Sequence, residues 1–183
     1  MVLRPTPRHM SVFQIRELKA TDFDDVEDAF FSFFPEAEAD PSFGLTLFRV
    51  RPTREEERKW FEGHLRDIQT GKVVKRVAEV DSHVVGWCDV RNVLWGTPLD
   101  HRGTLGISIR KGFRGRGIGT ALITEIIEAS RGKFESIELT VLSSNKTAVK
   151  LYEKFGFRKI GTIPNAVKRG GRYFDEDLMY LRL

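Results

Sequence analysis

SIRKGFRGRGIGTALI, residues 108–123, joins two segments whose apolar residues repeat with different periods. Before the turn, Leu105, Ile107 and Ile109 alternate with small residues, which predicts a strand. After the turn, apolar residues recur at helical spacing and stop before Gly132; they are Ile118, Leu122, Ile123, Ile126 and Ile127. The glycines and basic residues between these segments predict a tight, positively charged turn that opens a helix.

The length and composition limit the class of protein. A chain of 183 residues is long enough for one domain with a substantial apolar core. The single cysteine, Cys88, excludes an intrachain disulfide and favours a reducing, cytoplasmic location. The histidines lack metal-ligand spacing, so we expect no metal. The apolar runs are too short to span a bilayer, and no secretory signal is evident.

The first residues differ in character from the rest of the chain. MVLRPTPRHM resembles an expression leader, so we predict a leader over residues 1–9 and a single domain over residues 10–183. The formal charge is +4, from 30 Lys and Arg against 26 Asp and Glu, and it falls to +2 without Arg4 and Arg8. This small, mixed charge argues against a nucleic-acid partner and allows one local anion site.

The amino-terminal third predicts a strand, a helix and a loop. A strand at residues 12–18 precedes a capping box from Thr21 to Asp24, which opens a helix that ends at Pro35. Residues 35–52 are irregular and acidic at first, as expected of a loop over a pocket.

The remaining pattern alternates strands with helices. A second capping box, Thr53 with Glu56, opens a helix that stops at Gly71. Strands are predicted at residues 73–80, 84–93, near 105–109, 137–142, 157–163 and 173–181, with helices from residue 118 and over 145–155. This order, with hairpins at both ends, predicts an α/β fold with a mixed sheet.

Several kinds of turn contain glycines at such positions. A plain tight turn with solvated arginines is one. A dinucleotide-binding turn is weakened because Thr120 follows Gly115-x-Gly117-x-Gly119 where a third glycine belongs, although Glu138 has the spacing of a ribose-binding acid. A P-loop fails because no lysine follows the last glycine.

An anion site fits the turn better. Successive glycine N–H groups at a helix amino terminus attract a phosphate, and the helix dipole adds to that attraction. Gly117 and Gly119 let the backbone approach such an anion, and Arg114 and Arg116 supply charge. The turn therefore predicts a pyrophosphate cradle.

Two blocks of the chain resemble a known family. Arg114-x-x-Gly117-x-Gly119, after a strand and opening a helix, resembles the acetyl-CoA signature of the GNAT superfamily of N-acetyltransferases. LTVLSSNKTAVKLYEKFGFRKIG, residues 139–161, is similar to the family's second block. The resemblance implies a twisted, mostly antiparallel sheet of about six to seven strands, flanked by about four helices, with a splayed parallel central pair.

The resemblance also implies how acetyl-CoA binds. Backbone groups of Ile107 and Ile109 would hold the pantetheine arm and polarise the thioester carbonyl. Asn145 would contact the cofactor, and a simple helix N-cap fits the same residue equally well. The residues around the pyrophosphate would be Arg114, Gly115, Arg116, Gly117, Ile118, Gly119 and Thr120.

Tyr152 is the candidate general acid. Ala148, Leu151, Tyr152 and Phe155 form a helical stripe that by itself indicates core packing. The surrounding L-Y-E-K-x-G-F, however, resembles the block whose tyrosine protonates the CoA thiolate. A phenol of pKa about 10 can donate to a thiolate whose thiol has a pKa of about 8.5.

Carboxylates are the candidates for the base and for acceptor binding. A primary amine is mostly protonated at neutral pH, so some group must take its proton. Glu138 and Asp89 lie on predicted strands, and we name Glu138 as the base. Glu36, Glu38 and Asp40, in the predicted acidic loop, would attract a cationic acceptor.

The sequence thus predicts a cytoplasmic N-acetyltransferase. It would move the acetyl group of acetyl-CoA, without a metal, to a small amine, a lysine or a protein amino terminus by direct attack in a ternary complex. The alternatives are a non-catalytic acyl-CoA-binding module and, with less support, a nucleotide-dependent oxidoreductase. An amine acceptor is the expected partner, without nucleic acid or membrane, and a homodimer is compatible with the sequence.

Overall fold

Seven strands form one sheet in the order β1-β2-β3-β4-β5-β7-β6 in a computed structural model that describes residues 12–45 and 47–183. The strands are β1 (Phe13–Arg16), β2 (Val73–Val80), β3 (His83–Asn92), β4 (Arg102–Ile109), β5 (Ser136–Leu142), β6 (Arg158–Arg169) and β7 (Arg172–Arg182). Neighbouring strands are antiparallel except for β4 and β5, which run parallel. The predicted mixed sheet is confirmed. The predicted leader, residues 1–9, lies outside the described residues.

Helices cover both faces of the sheet. In the described part of the chain they are α1 (Phe23–Phe31), α2 (Phe33–Ala39), α3 (Arg54–Gln69), α4 (Ile118–Ser130) and α5 (Lys146–Lys154). The predicted number of about four holds when α1 and α2, which meet at Ser32, are counted as one bent helix. None of these helices is long and apolar enough to cross a membrane.

Two local predictions about the first helix are wrong. The predicted cap at Thr21 is replaced by a short 3₁₀ turn, in which the Asp22 carboxylate accepts a hydrogen bond of 2.8 Å from the Lys19 N–H. Pro35 does not end the helix but lies in the first turn of α2. An N–H in the first turn has no partner inside the helix, so proline removes no hydrogen bond there.

Other local signals are confirmed. The Thr53 side chain accepts from the Glu56 N–H while the Glu56 carboxylate accepts from the Thr53 N–H, the reciprocal cap that opens α3. Beyond α4, Gly132 has the positive φ, 75°, that suits glycine after a helix end. Gly170 and Gly171, both with positive φ, turn the chain between β6 and β7.

The apolar core is divided by the sheet. Trp87 and Cys88 are consecutive in β3 and therefore point to opposite faces. Cys88 joins a cluster that includes the apolar face of α4, whereas Trp87 packs with Phe33 and Phe61 from α2 and α3. Each face thus has its own helices and its own core.

The sheet opens between β4 and β5. The two strands pair only where Arg102–Thr104 faces Ser136–Glu138. Beyond Thr104, β4 keeps β3 as its partner and β5 keeps β7, so the edges that face each other are free of strand pairing. This split is the predicted splayed parallel pair.

Gly103 makes the close packing beside this short parallel pairing possible. A Cβ on Gly103 would overlap Val90 Cγ1 and lie 3.3 Å from the Phe134 ring. We expect Gly103→Ala to lower the free energy of unfolding by about 1–3 kcal/mol, because the added methyl group overpacks the core. Gly161→Ala is the matched control, since a Cβ there meets no atom within 4 Å. Equal urea midpoints for the two variants would contradict this account.

Candidate active site

Two cavities meet at the split. The larger, about 1170 Å³, lies between β4, the glycine turn and α5. The smaller, about 750 Å³, lies between β4 and the helices α1 and α3. Both are lined by residues 106–108 of β4, together with Leu45 and Arg91. The two cavities therefore share a wall at the middle of β4.

The backbone of β4 presents hydrogen-bonding groups to the split. The Arg110 N–H donates to Val85 O of β3 at 2.9 Å. Because bonding directions alternate along a strand, the N–H and C=O groups of Ile107 and Ile109 point away from β3. The Ile109 carbonyl indeed accepts a hydrogen bond of 2.7 Å from Arg114 Nε on that side. These are the backbone groups that the sequence assigned to the pantetheine arm.

The glycine turn has the shape of an anion cradle. Gly115 and Gly117 have φ values of 74° and 85°, and a Cβ on either would meet no protein atom within 4 Å. Gly117 caps α4, whose first N–H groups therefore face this open space. At Gly119 the reason for glycine is packing, since a Cβ would lie 3.3 Å from Leu151 Cδ2. A diphosphate group fits this arrangement.

The residues around the cradle differ in where they point. Gly115, Gly117, Gly119 and Thr120 line the larger cavity together with Arg114. Ile118 is 1% exposed and belongs to the core, so only its backbone can face an anion. Arg116 lies over the Phe113 ring, with 5.2 Å between Cζ and the ring centroid, and it is not among the residues that line the cavity.

Asn145 and Tyr152 form the wall of the larger cavity opposite β4. The Asn145 side chain accepts from the Ala148 N–H at 3.1 Å, so the N-cap role is confirmed. Tyr152 is 6% exposed and packs against Phe157, with 5.9 Å between ring centroids. Burial raises the pKa of the Tyr152 phenol, and the nearby Cys88 thiol adds to the shift. The phenol therefore keeps its proton well above neutral pH.

Asp89 and Glu138 have very different surroundings. Glu138 forms an ion pair with Arg102 and lines neither cavity. Asp89 is 7% exposed and lines the smaller cavity. Within residues 12–45 and 47–183, its buried Oδ2 accepts no hydrogen bond. Arg91 Nε lies 3.0 Å from Oδ2, close enough for an ion pair but in a geometry that forms no hydrogen bond.

A row of residues across three strands leads to the split. Lys75 on β2 faces Asp89 on β3, which in turn faces Gly106 on β4. A Cβ on Gly106 would lie 3.9 Å from Asp89 Oδ1, so a larger side chain would grow over the carboxylate. Glycine at position 106 keeps Asp89 open to the place where the cavities meet.

Lys75 is buried behind Asp89. Its Nζ lies 3.9 Å from Asp89 Oδ1 and 3.3 Å from His64 Nε2, and the Trp60 and Trp87 rings flank it at 5.6 and 5.3 Å. Burial lowers the pKa of Lys75. Burial, with the neighbouring Lys75, lowers the pKa of His64 to about 3, so the imidazole is neutral at physiological pH.

The acidic segment is not the loop that the sequence predicted. Glu36 and Glu38 lie on α2, and Asp40 follows it. Both Glu36 oxygens accept hydrogen bonds from Arg114, at 2.7 and 3.0 Å. Glu38 is exposed and lines neither cavity, whereas Asp40 lines the larger one and accepts from Ser42. Acceptor binding by these acids stays a prediction.

Sequence reasoning missed a clamp on the segment after α2. Arg169 of β6 donates to the carbonyl oxygens of Phe43 and Leu45, at 2.6 and 2.7 Å. These residues cross the larger cavity, and Leu45 also lines the smaller one. No local pattern connects positions more than 120 residues apart in the chain, so only the fold shows this contact.

The match to a family model agrees with this geometry. Residues 23–157 match the model of the Acetyltransferase (GNAT) family. The chain belongs to the GNAT family of acetyltransferases. This match favours the family that the sequence resembles over the nucleotide-dependent oxidoreductase considered as an alternative.

Curated relatives of this GNAT acetyltransferase act on different amines, by their names. The L-amino acid N-acetyltransferase AaaT of Escherichia coli is 35% identical over 101 residues, 54% of this chain and 62% of that protein. An N-alpha-acetyltransferase of Sulfurisphaera tokodaii is 32% identical over 111 residues, 55% of this chain and 64% of that protein. The chain thus spans less than two thirds of the length of either relative.

Solved GNAT structures share the fold of this acetyltransferase. Ribosomal-protein-alanine N-acetyltransferase from Brucella melitensis superposes with a TM-score of 0.79 at 23% identity, covering 93% of this chain and 99% of that one. The yncA protein of Salmonella typhimurium, solved with its cofactor acetyl-CoA, gives a TM-score of 0.78 at 16% identity, covering 93% of each chain.

The Arg114–Glu36 pair predicts an effect on CoA binding. Glu36→Gln frees Arg114, so we expect the Kd for CoA at low salt to fall about two- to fivefold, the range of a partly exposed ion pair. Glu38→Gln, a neighbouring exposed acid, should leave that Kd unchanged. Titration calorimetry measures both. An unchanged Kd for Glu36→Gln with a higher KM for cationic amines would instead support the acceptor role.

Proposed function

We propose that this protein transfers the acetyl group of acetyl-CoA directly to a primary amine while both substrates are bound. The observation that carries the proposal is the meeting of two cavities at residues 106–108 of β4. One cavity has the cradle and Tyr152; the other has the Asp89 carboxylate. The relatives named for amino acid and N-alpha acetylation support an amine acceptor.

The larger cavity would hold acetyl-CoA, which supplies the thioester. The N–H groups from Gly115 to Thr120, with Arg114, would bind the pyrophosphate. The backbone groups of Ile107 and the N–H of Ile109 would pair with the pantetheine arm as a neighbouring strand would, while the Ile109 carbonyl accepts from Arg114. Asn145 lines the same wall and would contact the arm through its side-chain N–H group.

The amine would be prepared by Asp89. Asp89 lines the smaller cavity, and Gly106 leaves the approach to its carboxylate open. An ammonium bound there would transfer a proton to the carboxylate before attack. This proposal replaces Glu138, whose carboxylate is paired with Arg102 outside both cavities.

The transfer step then balances with three proton movements. The amine nitrogen forms a bond to the carbonyl carbon while the carbon–sulfur bond breaks. Asp89 holds the proton taken from the ammonium before attack, and Tyr152 gives its proton to the departing thiolate. The nitrogen loses its second proton as the amide forms, and this proton restores the Tyr152 phenol. Burial keeps the Tyr152 phenol protonated until that moment, because its pKa is raised. A module that only binds acyl-CoA would need neither of these groups in place.

Tyr152→Phe tests the acid. It keeps the ring against Phe157 and removes the proton, so we expect kcat to fall about 10²–10⁴-fold with little change in CoA affinity. Tyr173→Phe, at an exposed tyrosine, is the control. Thiol release from acetyl-CoA gives the rates. Near-normal turnover would make Tyr152 a packing residue only.

Asp89→Asn and Glu138→Gln together test the base. We expect kcat/KM at pH 7 to fall about 100-fold or more for Asp89→Asn and less than about threefold for Glu138→Gln. The Asp89→Asn deficit should shrink as pH rises toward the pKa of the amine, because the free amine then needs no proton acceptor. Melting temperatures show whether either variant is unfolded. The opposite ranking of the two variants would return the role to Glu138.

A further inference from the structure

The floor of the smaller cavity carries one carboxylate beside one guanidinium. Asp89 and Arg91 lie two residues apart on β3 and therefore on the same face. Both line this cavity, with 3.0 Å between Arg91 Nε and Asp89 Oδ2. They lie next to Gly106, where the two cavities meet, so any acceptor that reaches the split encounters both charges.

Four other charged residues line the smaller cavity: Arg49, Arg51, Glu56 and Glu57. Arg51 lies over the Phe31 ring at 3.7 Å, and the Glu56 carboxylate accepts from the Thr53 N–H at 2.8 Å. Glu57 has a raised pKa because of burial and the nearby Glu27 and Glu56. Asp89 and Arg91 are the charged pair beside Gly106, since a Cβ there would lie 3.9 Å from both Asp89 Oδ1 and an Arg91 guanidinium nitrogen.

The remaining wall of the cavity is apolar and largely aromatic. Phe33 and Trp87 are buried there, and their rings contact each other with 5.9 Å between centroids. Phe30 and Trp60 complete this wall. A cavity of about 750 Å³ lined in this way has room for a large apolar side chain above the charged floor.

We propose that the acceptor is a free α-amino acid with a large apolar side chain. This inference rests on the proposed acetyl transfer and deepens it. Arg91 binds the α-carboxylate, Asp89 receives the α-ammonium, and the aromatic wall takes the side chain. In an α-amino acid the ammonium and the carboxylate are bonded to the same carbon atom. This spacing matches a carboxylate and a guanidinium at neighbouring positions on one face of a strand.

The charge of Arg91 favours a free amino acid over a peptide amino terminus. A guanidinium forms charge-assisted hydrogen bonds with a carboxylate, whereas a peptide presents a neutral carbonyl at that position. A peptide would therefore lose this charge-assisted contact, although Arg91 itself is half-exposed and keeps its ion pair with Asp89. Arg91 is thus a specificity-determining residue in this proposal, because it binds the α-carboxylate next to the reacting amine.

The test compares acceptors that share one side chain. L-Phenylalanine, L-phenylalaninamide and 2-phenylethylamine differ in the group at the α-carbon, and their kcat/KM values are corrected for the fraction of free amine. We expect L-phenylalanine to exceed both others at least about tenfold, the range of a charge-assisted hydrogen bond. L-Serine and L-aspartate should be poor acceptors, because their side chains bury little apolar area against the aromatic wall.

Variants of Arg91 separate the carboxylate contact from the chemistry. Arg91→Gln should raise the KM for L-phenylalanine and bring its kcat/KM close to that of 2-phenylethylamine. Because Arg91 also pairs with Asp89, the measured quantity is the ratio of the two kcat/KM values within one variant. Arg91→Lys should restore part of the preference. Arg49→Gln, at the rim of the same cavity, is the matched control and should keep the preference. An equal loss in Arg49→Gln would overturn the assignment to Arg91.

The outcomes separate the choice of a free amino acid as acceptor from acetyl transfer itself. Equal rates with all three phenylalanine-derived amines, or higher rates with the amide and with peptides, would overturn the amino acid proposal while leaving acetyl transfer intact. Failure of every amine to release thiol, in a protein that binds CoA by calorimetry, would instead overturn the proposed function.

Discussion

The early separation of β4 from β5 is the constraint on which the rest of the site depends. Two strands that paired along their full length would satisfy each other's backbone groups and close the sheet. Here pairing stops at Thr104, so the inner edge of β4 stays available to a ligand. The cradle follows the end of β4, and the row of Lys75, Asp89 and Gly106 crosses β2, β3 and β4. Both lead to this edge, where a ligand could contact them together.

The Lys75 ammonium near the split is surrounded by groups of several chemical types. Lys75 is buried in a core that offers it one carboxylate, one neutral imidazole and two indole rings. Asp89 and the ring faces favour the charged form of Lys75, whereas burial opposes it and lowers the pKa of this side chain. His64 takes part because burial keeps it neutral. The carboxylate that lines the smaller cavity thus has the buried Lys75 and His64 behind it.

The local parts of this structure could be predicted from the sequence, and the long-range parts could not. The glycine turn, the Thr53 cap and the Asn145 cap depend on contiguous residues, and the structure contains each of them. The choice between Glu138 and Asp89 depends on which strand faces lie beside the cavities, which spacing along the chain does not encode. Likewise, the Arg114–Glu36 pair joins residues 78 positions apart, and α2 formed although Pro35 suggested a helix end.

The contact between Arg114 and Glu36 has a consequence for the selectivity of the cradle. The cradle without a ligand already contains an anion, since a carboxylate of the protein occupies the guanidinium with two hydrogen bonds. A lone phosphate or sulfate would exchange one anion for another at this arginine and gain little. A ligand that also extends along the free edge of β4 gains backbone hydrogen bonds that small anions cannot form. The acid from α2 thus favours long, strand-like ligands over the inorganic anions that surround any protein in solution.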